Sequence, residues 1–271
     1  MAQIDAIFEQ KWSKEAHIAF TQTESKLKDA ARVVNDPART YNWNKFTQQS
    51  ANENPSRHQP LTITAADATT VPATVTSIYS RHAIDDLDKA QTSFDYRNDL
   101  SKMAAIAVWQ KFDDKFIAAL EASSAATITL PTANVFNYNG ALETMNALDL
   151  NDVPTMGRFA LLSPGAFKDI LADTTAVNSF NYANNAVKTG QLEGIAGFDR
   201  MIKSTRLAVP SAGQRTCWFW KKEAFGIHYS SEFNIKVERS VETNGWYFTA
   251  TVQASFAVID VTGVVKAAVT D

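Results

Sequence analysis

A chain of 271 residues, 45% hydrophobic and 20% charged, can bury a substantial core in one large domain or two modest ones. Its 26 basic and 29 acidic residues leave a formal net charge of -3, which argues against a dedicated nucleic-acid binder with a basic face. A single cysteine, Cys217, rules out an intramolecular disulfide framework and fits a reducing compartment.

The segment Met1-Ala2-Gln3-Ile4-Asp5 lacks the charged-then-apolar layout of a signal peptide. No apolar run approaches the roughly 18 residues that span a bilayer. The expectation is a soluble protein made in a cytoplasm. With only 10 glycines and 8 prolines, and no internal repeat, the chain is expected to be continuously structured.

Ile4, Phe8, Trp12, Ala16 and Phe20 recur every four residues, so the reading from Ile4 to Val34 is mostly helical. Asn35-Asp36-Pro37 breaks that pattern. Thr40 to Phe46 has strand character, with Tyr41 and Trp43 on one side. A polar stretch from Gln48 to Pro60 carries a turn signal at Asn54-Pro55, and Val71 to Ser80 reads as a second strand. The long Thr-rich excursion between these strands is of the kind that is normally functional or disordered. It has little apolar surface of its own to bury, which suits a subunit completed by its neighbours.

Asp85-Asp86-Leu87-Asp88 then leads into one long helix. Thr92 is its expected N-cap, with Asp95 in a capping-box position. From Phe94 to Ala122 there is no Gly or Pro, giving a rod of roughly 40 Å. Leu100, Met103 and Ala107 lie along one stripe, and Trp109, Phe112, Phe116 and Leu120 along another; both are expected to pack in a core.

Beyond Pro131 the texture becomes short alternating α and β pieces. Phe159 to Leu162 is a buried-strand candidate, and Ser163-Pro164 offers an N-cap with Pro at the first helical position of a helix to about Ala172. Asn181 to Thr189 reads as a helix stopped by Gly190. Phe198 to Lys203 and Cys217 to Trp220 read as strands. Trp246 to Val258 is the strongest strand, alternating with period two; Trp246, Phe248, Ala250, Val252, Ala254, Phe256 and Val258 share one face.

Candidates for chemistry are sparse. His17, His58, His82 and His228 are scattered without metal-ligand spacing and read as surface or turn residues. Asp85, Asp86 and Asp88 belong to turn and helix-start chemistry rather than a calcium loop. Asp113 and Asp114 are expected to be solvated and paired with Lys111 or Lys115. Gly190, Gly194 and Gly197 follow a helix and lack a phosphate-loop lysine, so they read as turns. Ser163 has no nucleophile-elbow context, and Cys217 reads as a buried structural thiol. No catalytic residue, cofactor or metal site is expected.

In the order of these elements the chain resembles the major capsid proteins of tailed bacteriophages, over nearly its whole length. Trp12 to Val34, with Ser25-Lys26-Leu27-Lys28, resembles that family's N-terminal arm. Tyr41 to Tyr79, with Arg57 near the turn and Arg81-His82 on the return, is similar to its extended loop. Asp85 to Asp88 followed by Phe94 to Ala122 looks like the entry to its spine helix. Leu161 to Pro164 with Phe167 and Leu171, and Gly194 to Gly197 with Phe198 and Ile202, resemble axial-domain pieces. Ala224 to Ile227, Trp246 to Val258 and Gly263-Val264-Val265 match its closing pattern.

The resemblance implies an α+β tailed-phage capsid fold. Its parts would be an N-terminal arm (1–38), an extended β-hairpin loop (39–82), a peripheral domain with the spine helix (83–130 and 236–257) and an axial domain (131–235 and 258–271). It implies no enzyme but a virion subunit, assembled in the host cytoplasm, that self-assembles as pentamers and hexamers into an icosahedral head around packaged double-stranded DNA. The implied partners are a scaffolding protein, a portal protein, decoration proteins and DNA in weak non-specific contact, with no membrane. A separate scaffold is expected because no long N-terminal extension is present. Arg57, Arg81, Tyr41 and Trp43 are the inter-subunit contacts the resemblance suggests. An encapsulin nanocompartment shell, which shares fold and size, is the alternative.

Overall fold

The computed structural model describes residues 22–47, 49–53, 63–85, 97–131, 134–173, 192–240 and 245–271. Outside them lie the helical readings of residues 4–21 and Asn181 to Thr189, the Asn54-Pro55 turn, Asp86 to Asp88, Thr92, Asp95, Gly190, His17 and His58. In chain order the strands are β1 (Arg32–Asn35), β2 (Thr40–Phe46), β3 (Ala68–Thr74) and β4 (Thr76–Asp85). Helix α1 (Arg97–Glu121) follows, then β5 (Ala126–Ile128), α2 (Tyr138–Asp149), β6 (Arg158–Leu162) and α3 (Pro164–Ala172). The chain closes with β7 (Leu192–Ile195), β8 (Phe198–Lys203), β9 (Gln214–Lys221), β10 (Phe225–Ser240), β11 (Gly245–Val258) and β12 (Val264–Thr270).

Two compact units divide the chain. One holds residues 1–24, 77–111 and 233–252; the other holds 25–76, 112–232 and 253–271. The division falls inside α1, β10 and β11, so each unit contains part of these long elements.

The larger unit is built on a six-stranded mixed sheet in the order β5-β12-β9-β6-β8-β7. Its core is aromatic: Phe136 stacks on Phe219 at 5.3 Å, Phe159 on Trp220 at 6.3 Å, and Phe198 tilts against Phe219 at 5.5 Å. The predicted helix start at Ser163 is present, with its Oγ accepting from the Ala166 amide and Pro164 in the first turn. Asp271 adds a second acceptor at that helix end. Its Oδ1 takes the Gly165 amide at 2.9 Å and its Oδ2 the Arg215 Nε at 2.5 Å. A side chain at Gly165 would collide with Asp271, whose Cα lies 2.7 Å from where a Cβ would stand. The β7–β8 hairpin turns through Ala196 and Gly197, both at positive φ, which the glycine makes inexpensive. The turn reading holds for Gly197, whereas Gly194 lies within β7 at positive φ, a correction to its reading as a turn residue.

Arg158 is fully buried in the same unit. It donates from Nη2 to Asp149 Oδ1 at 2.5 Å and to the Val153 carbonyl, and from Nε to the Pro154 carbonyl at 3.1 Å. One guanidinium thus ties down the loop between α2 and β6.

Two expectations fail in the N-terminal third. Residues 22–31 form turns rather than helix, and Val33-Val34 lie in β1, which pairs in parallel with Gly226–Tyr229 of β10. The reason is local hydrogen bonding. Ser25 Oγ accepts from the amides of Leu27 and Lys28, which bends the chain, and two β-branched residues then favour extension. The second expected strand is two strands. At Val75, whose amide donates to the Arg39 carbonyl, β3 ends its pairing with β2, and β4 joins a different sheet of order β1-β10-β11-β4.

Helix α1 ends within one residue of the expected point, but its buried side is not the one the first stripe indicated. Met103 and Ala107 are exposed, while Ala104, Val108, Phe112, Phe116, Ile117 and Leu120 are buried. In the larger unit Phe112 meets Tyr229 at 5.8 Å and Phe256 at 4.8 Å, and Phe116 stacks on Phe225 at 4.0 Å. In the smaller unit Trp109 stacks on Phe233 at 5.1 Å. Asp113 is not solvated. It is 2% exposed, accepts from Ser25 Oγ at 2.6 Å and the Lys26 amide at 3.2 Å, and so fastens the N-terminal turn to the helix. Asp114 pairs with Arg206 at 2.6 Å rather than with a neighbouring lysine.

Candidate assembly surfaces

The ribbon β2–β3 stands outside both larger sheets, and side-chain size explains how its base is fixed. Trp43 is 2% exposed and packs with Ala73, Ala257 and Ile259. Its ring reaches the backbone at Gly226, where an added Cβ would come within 2.5 Å of the indole. Tyr41 meets Trp43 edge-on at 4.8 Å and stacks on His228 at 4.7 Å. His228 is fully buried, a correction to its reading as a surface or turn residue. Its Nε2 lies 2.6 Å from the Asp36 carbonyl, which can only accept, so Nε2 carries a proton; Nδ1 is 3.2 Å from Ser255 Oγ. His82, by contrast, is half-buried beside Ser80 at 3.4 Å.

Ser255 and Ala257 are buried although they lie on the odd-numbered face of β11. The expected period-two alternation holds through Ala254, after which both faces of the strand are covered. Phe256 still meets α1 on one face, and His228 and Trp43 take Ser255 and Ala257 on the other.

Lys45 completes the anchor, reaching Asp260 at 2.7 Å. Burial works against ionisation of Asp260, but hydrogen bonds from Lys45 and Thr262 outweigh it and hold the carboxyl below its ordinary range.

The ladder of the ribbon has a definite polarity. Val75 donates to the Arg39 carbonyl and Thr47 to the Asp67 carbonyl, so odd-numbered residues turn their amides inward. Even-numbered residues turn theirs outward: Thr40, Asn42, Asn44 and Phe46 on β2, and Pro72 on β3. Pro72 therefore withholds a donor from the outer edge of β3, while β2 keeps all of its own. Further out, Gln49 donates to the Ala65 carbonyl and Asn52 to Thr64 Oγ1. Phe46 is 71% exposed and Ile63 93%. Arg57 lies outside the described residues.

On the smaller unit, the Arg81 guanidinium lies 4.0 Å from the ring centre of Tyr247, and Tyr79 stands exposed two residues before it. Sequence reasoning singled out Tyr41, Trp43 and Arg81 together. The structure brings the first two together at the ribbon base, one of them buried, and places Arg81 on an exposed strand face of the other unit. Sequence reasoning missed Phe46 and Ile63, whose signal was an apolar residue in an otherwise polar excursion.

For chemistry the molecule offers little among the described residues. No group of His, Cys, Asp or Glu there could hold a metal ion. Burial pushes the Cys217 thiol up to about 12, so it is a poor nucleophile. An open hollow of about 410 Å³ beside Asp152, Pro154, Glu223 and Thr262 has its lysine, Lys221, tied to the Met156 carbonyl and to Glu223 at 3.2 Å. No described helix is long and apolar enough to cross a membrane.

The model of one protein family, described as phage capsid protein, matches residues 4–271. No curated protein matches the chain. Among solved structures, the chain is similar to the capsid of the cyanophage P-SCSP1u, with a TM-score of 0.77, 16% identity, and coverage of 98% of this chain and 94% of that one. It is also similar to the capsid asymmetric unit of cyanophage Pam1, with a TM-score of 0.76, 13% identity and coverage of 99% and 98%. A structure from Mycobacterium phage Che8 matches with a TM-score of 0.71, 16% identity and 98% coverage of both chains.

Proposed function

The chain belongs to the phage capsid protein family, and from that premise we propose how this subunit builds its shell. It is a major capsid protein, a non-enzymatic structural component of the virion that associates with copies of itself. The family match favours this over the encapsulin alternative.

In our reading the shell is an icosahedral head of pentamers and hexamers, assembled in the host cytoplasm around a separate scaffold. It joins a portal protein, takes decoration proteins and encloses double-stranded DNA. With a net charge of -3, the chain touches that DNA weakly and without sequence preference. Residues 83–130 and 236–257 serve as the peripheral domain with the spine helix, and residues 131–235 and 258–271 as the axial domain. Residues 1–38 are the N-terminal arm and 39–82 the extended loop.

The observation that carries this reading is the ribbon. Its root is fixed by Trp43, Tyr41 and Lys45, while its outward edge and the apolar side chains of Phe46 and Ile63 face solvent. Exposed apolar groups on a firmly rooted arm suit a neighbouring subunit. Trp43 then acts from inside its own subunit, setting the angle of the arm, with Tyr41 beside it. Arg57 and Arg81 are the charged contacts, each meeting an acidic group of a neighbour.

Negative-stain microscopy of the purified protein, with and without its neighbouring genes, tests the reading. Closed particles or capsomer-sized rings are expected; a single monomeric species under every condition overturns it. Replacing residues 49–70 by a Gly-Ser turn should leave the fold intact and abolish assembly. Normal particles from that variant would remove the arm from the mechanism.

A further inference from the structure

Asp36–Pro37 is the only Asp–Pro bond in the sequence, and it lies immediately after β1. Its carbonyl oxygen is held by two donors at once. His228 Nε2, which carries the proton, stands 2.6 Å from it, and the Ala38 amide donates to the same oxygen at 2.8 Å. The imidazole is itself fixed, by the Tyr41 ring stacked at 4.7 Å and by Ser255 Oγ at 3.2 Å from Nδ1. The Asp36 amide donates to the Tyr229 carbonyl at 3.1 Å, which holds the residue against β10. Asp36 and Pro37 are both exposed, so water and a free range of side-chain rotation meet at this one peptide.

We propose that the folded chain cuts itself here, between Asp36 and Pro37, in a single turnover. The nucleophile is the Asp36 carboxylate, which reaches the carbonyl carbon of its own peptide and closes the small ring of a cyclic anhydride. As the C–O bond forms, the carbonyl oxygen takes up negative charge between two donors already in place, the arrangement that stabilises an acyl-transfer intermediate. When the intermediate collapses the C–N bond breaks. The Pro37 nitrogen takes a proton from water and leaves as a secondary amine. The hydroxide so formed opens the anhydride, giving Asp36 a free α-carboxylate and restoring its side chain. The net change is hydrolysis of one peptide bond by one water, with nothing oxidised or reduced. The step acts once on its own chain and takes no outside substrate, so the subunit remains a structural protein. The cut would separate β1 and the turn at Ser25 from the ribbon, converting a covalent link into contacts such as Ser25 and Lys26 on Asp113 and the β1 ladder.

Intact mass spectrometry of the purified full chain tests this, with samples held at neutral pH for days both folded and in urea. The folded chain should split into a segment ending at Asp36 and one beginning Pro37-Ala38-Arg39. It should do so about tenfold or more faster than the chain in urea, which has the same bond without the two donors. Asp36→Ala should abolish the cut and, because that side chain is exposed, leave the circular dichroism unchanged. Asp36→Glu keeps the charge but must close a larger ring, and should be slower than the wild type. His228→Leu leaves the carbonyl to Ala38 alone and should slow the cut about a hundredfold, the usual loss for one such donor. His228→Gln retains a side-chain N–H and should recover part of that loss.

A folded chain that stays intact would overturn the proposal, and so would equal rates in the folded chain and in urea. The same cut in Asp36→Ala would overturn it too, by assigning the cleavage to another agent. Wild-type cleavage in a folded His228→Leu would remove the imidazole from the step. If that variant does not fold, the comparison with urea and the two Asp36 variants decide alone. The inference stands apart from the shell reading, because particle formation is read separately by microscopy.

Discussion

The indole of Trp43 fills the space that a side chain at Gly226 would need: a Cβ there would stand 2.5 Å from Cζ2 and 2.6 Å from Cε2. The two residues are 183 positions apart, and their contact roots the projecting ribbon on β10. The glycine is needed for close approach, since its φ is not in the left-handed region. The Gly226→Ala variant should therefore lose about 1–3 kcal/mol, the usual cost of overpacking. A thermal melt that matched the wild type would show that the ring can shift freely.

Phe112 is fully buried between Tyr229 and Phe256, whereas Met103 on the same helix is 42% exposed. Phe112→Ala should cost about 3–5 kcal/mol and yield insoluble or unfolded subunits. Met103→Ala should stay within about 0.5 kcal/mol, as exposed substitutions do. Solubility and melting temperature, compared side by side, decide whether α1 is oriented as described.

Removing the carboxylate of Asp113 would strand the buried hydroxyl of Ser25. An unsatisfied buried group costs about 1–3 kcal/mol, so Asp113→Ala should loosen the turn at Ser25 to Lys28. Limited trypsin digestion reads this directly, as faster cleavage after Lys26 and Lys28. An unchanged digestion pattern would mean that other contacts hold the turn.

Asp260 provides a pH dependence. Its carboxyl is held below the ordinary range, so its pairing with Lys45 stabilises the fold above the unfolded carboxylate value of about 4 and fades as pH falls through the lower folded value. Both side chains are about a third exposed, which limits the effect to about 1 kcal/mol or less. The wild type should be more stable than Lys45→Met at neutral pH, and the two should converge in acid. A gap that stayed constant down to pH 2 would place the stabilisation in packing.

Cys217 should resist thiol reagents at pH 8 in the native protein and react fully in denaturant, given its burial and its pKa near 12. Rapid native labelling would place this thiol in an accessible, polarised setting instead.

What could be read from the sequence was what residues near one another in the chain decide. The alternation of β11 through Ala254 and the Ser163-Pro164 helix start are of this kind, because each signal lies within a few residues. The two aspartates of α1 were misread because their partners, Ser25 and Arg206, lie 88 and 92 positions away. His228 was misread for the same reason, since its acceptor is at Asp36. The break at Val75 was invisible because Thr- and Ala-rich composition continues across it. For the assembly surface, Tyr41 and Trp43 marked the ribbon base. The polarity of its edges emerged only once the register placed Pro72 opposite Asn42.

That proline also bears on the valency of the subunit. With the outer edge of β3 interrupted at Pro72, the ribbon offers strand addition on its β2 side alone. Copies joined head to tail through one such edge form threads or closed cycles. Where a cycle closes, its size follows from the rotation built into each joint. Branching, which a continuous shell requires, must then come from a chemically different contact. A variant crippled at the ribbon and one crippled at the branching contact should therefore fail differently, the first as loose subunits and the second as isolated rings.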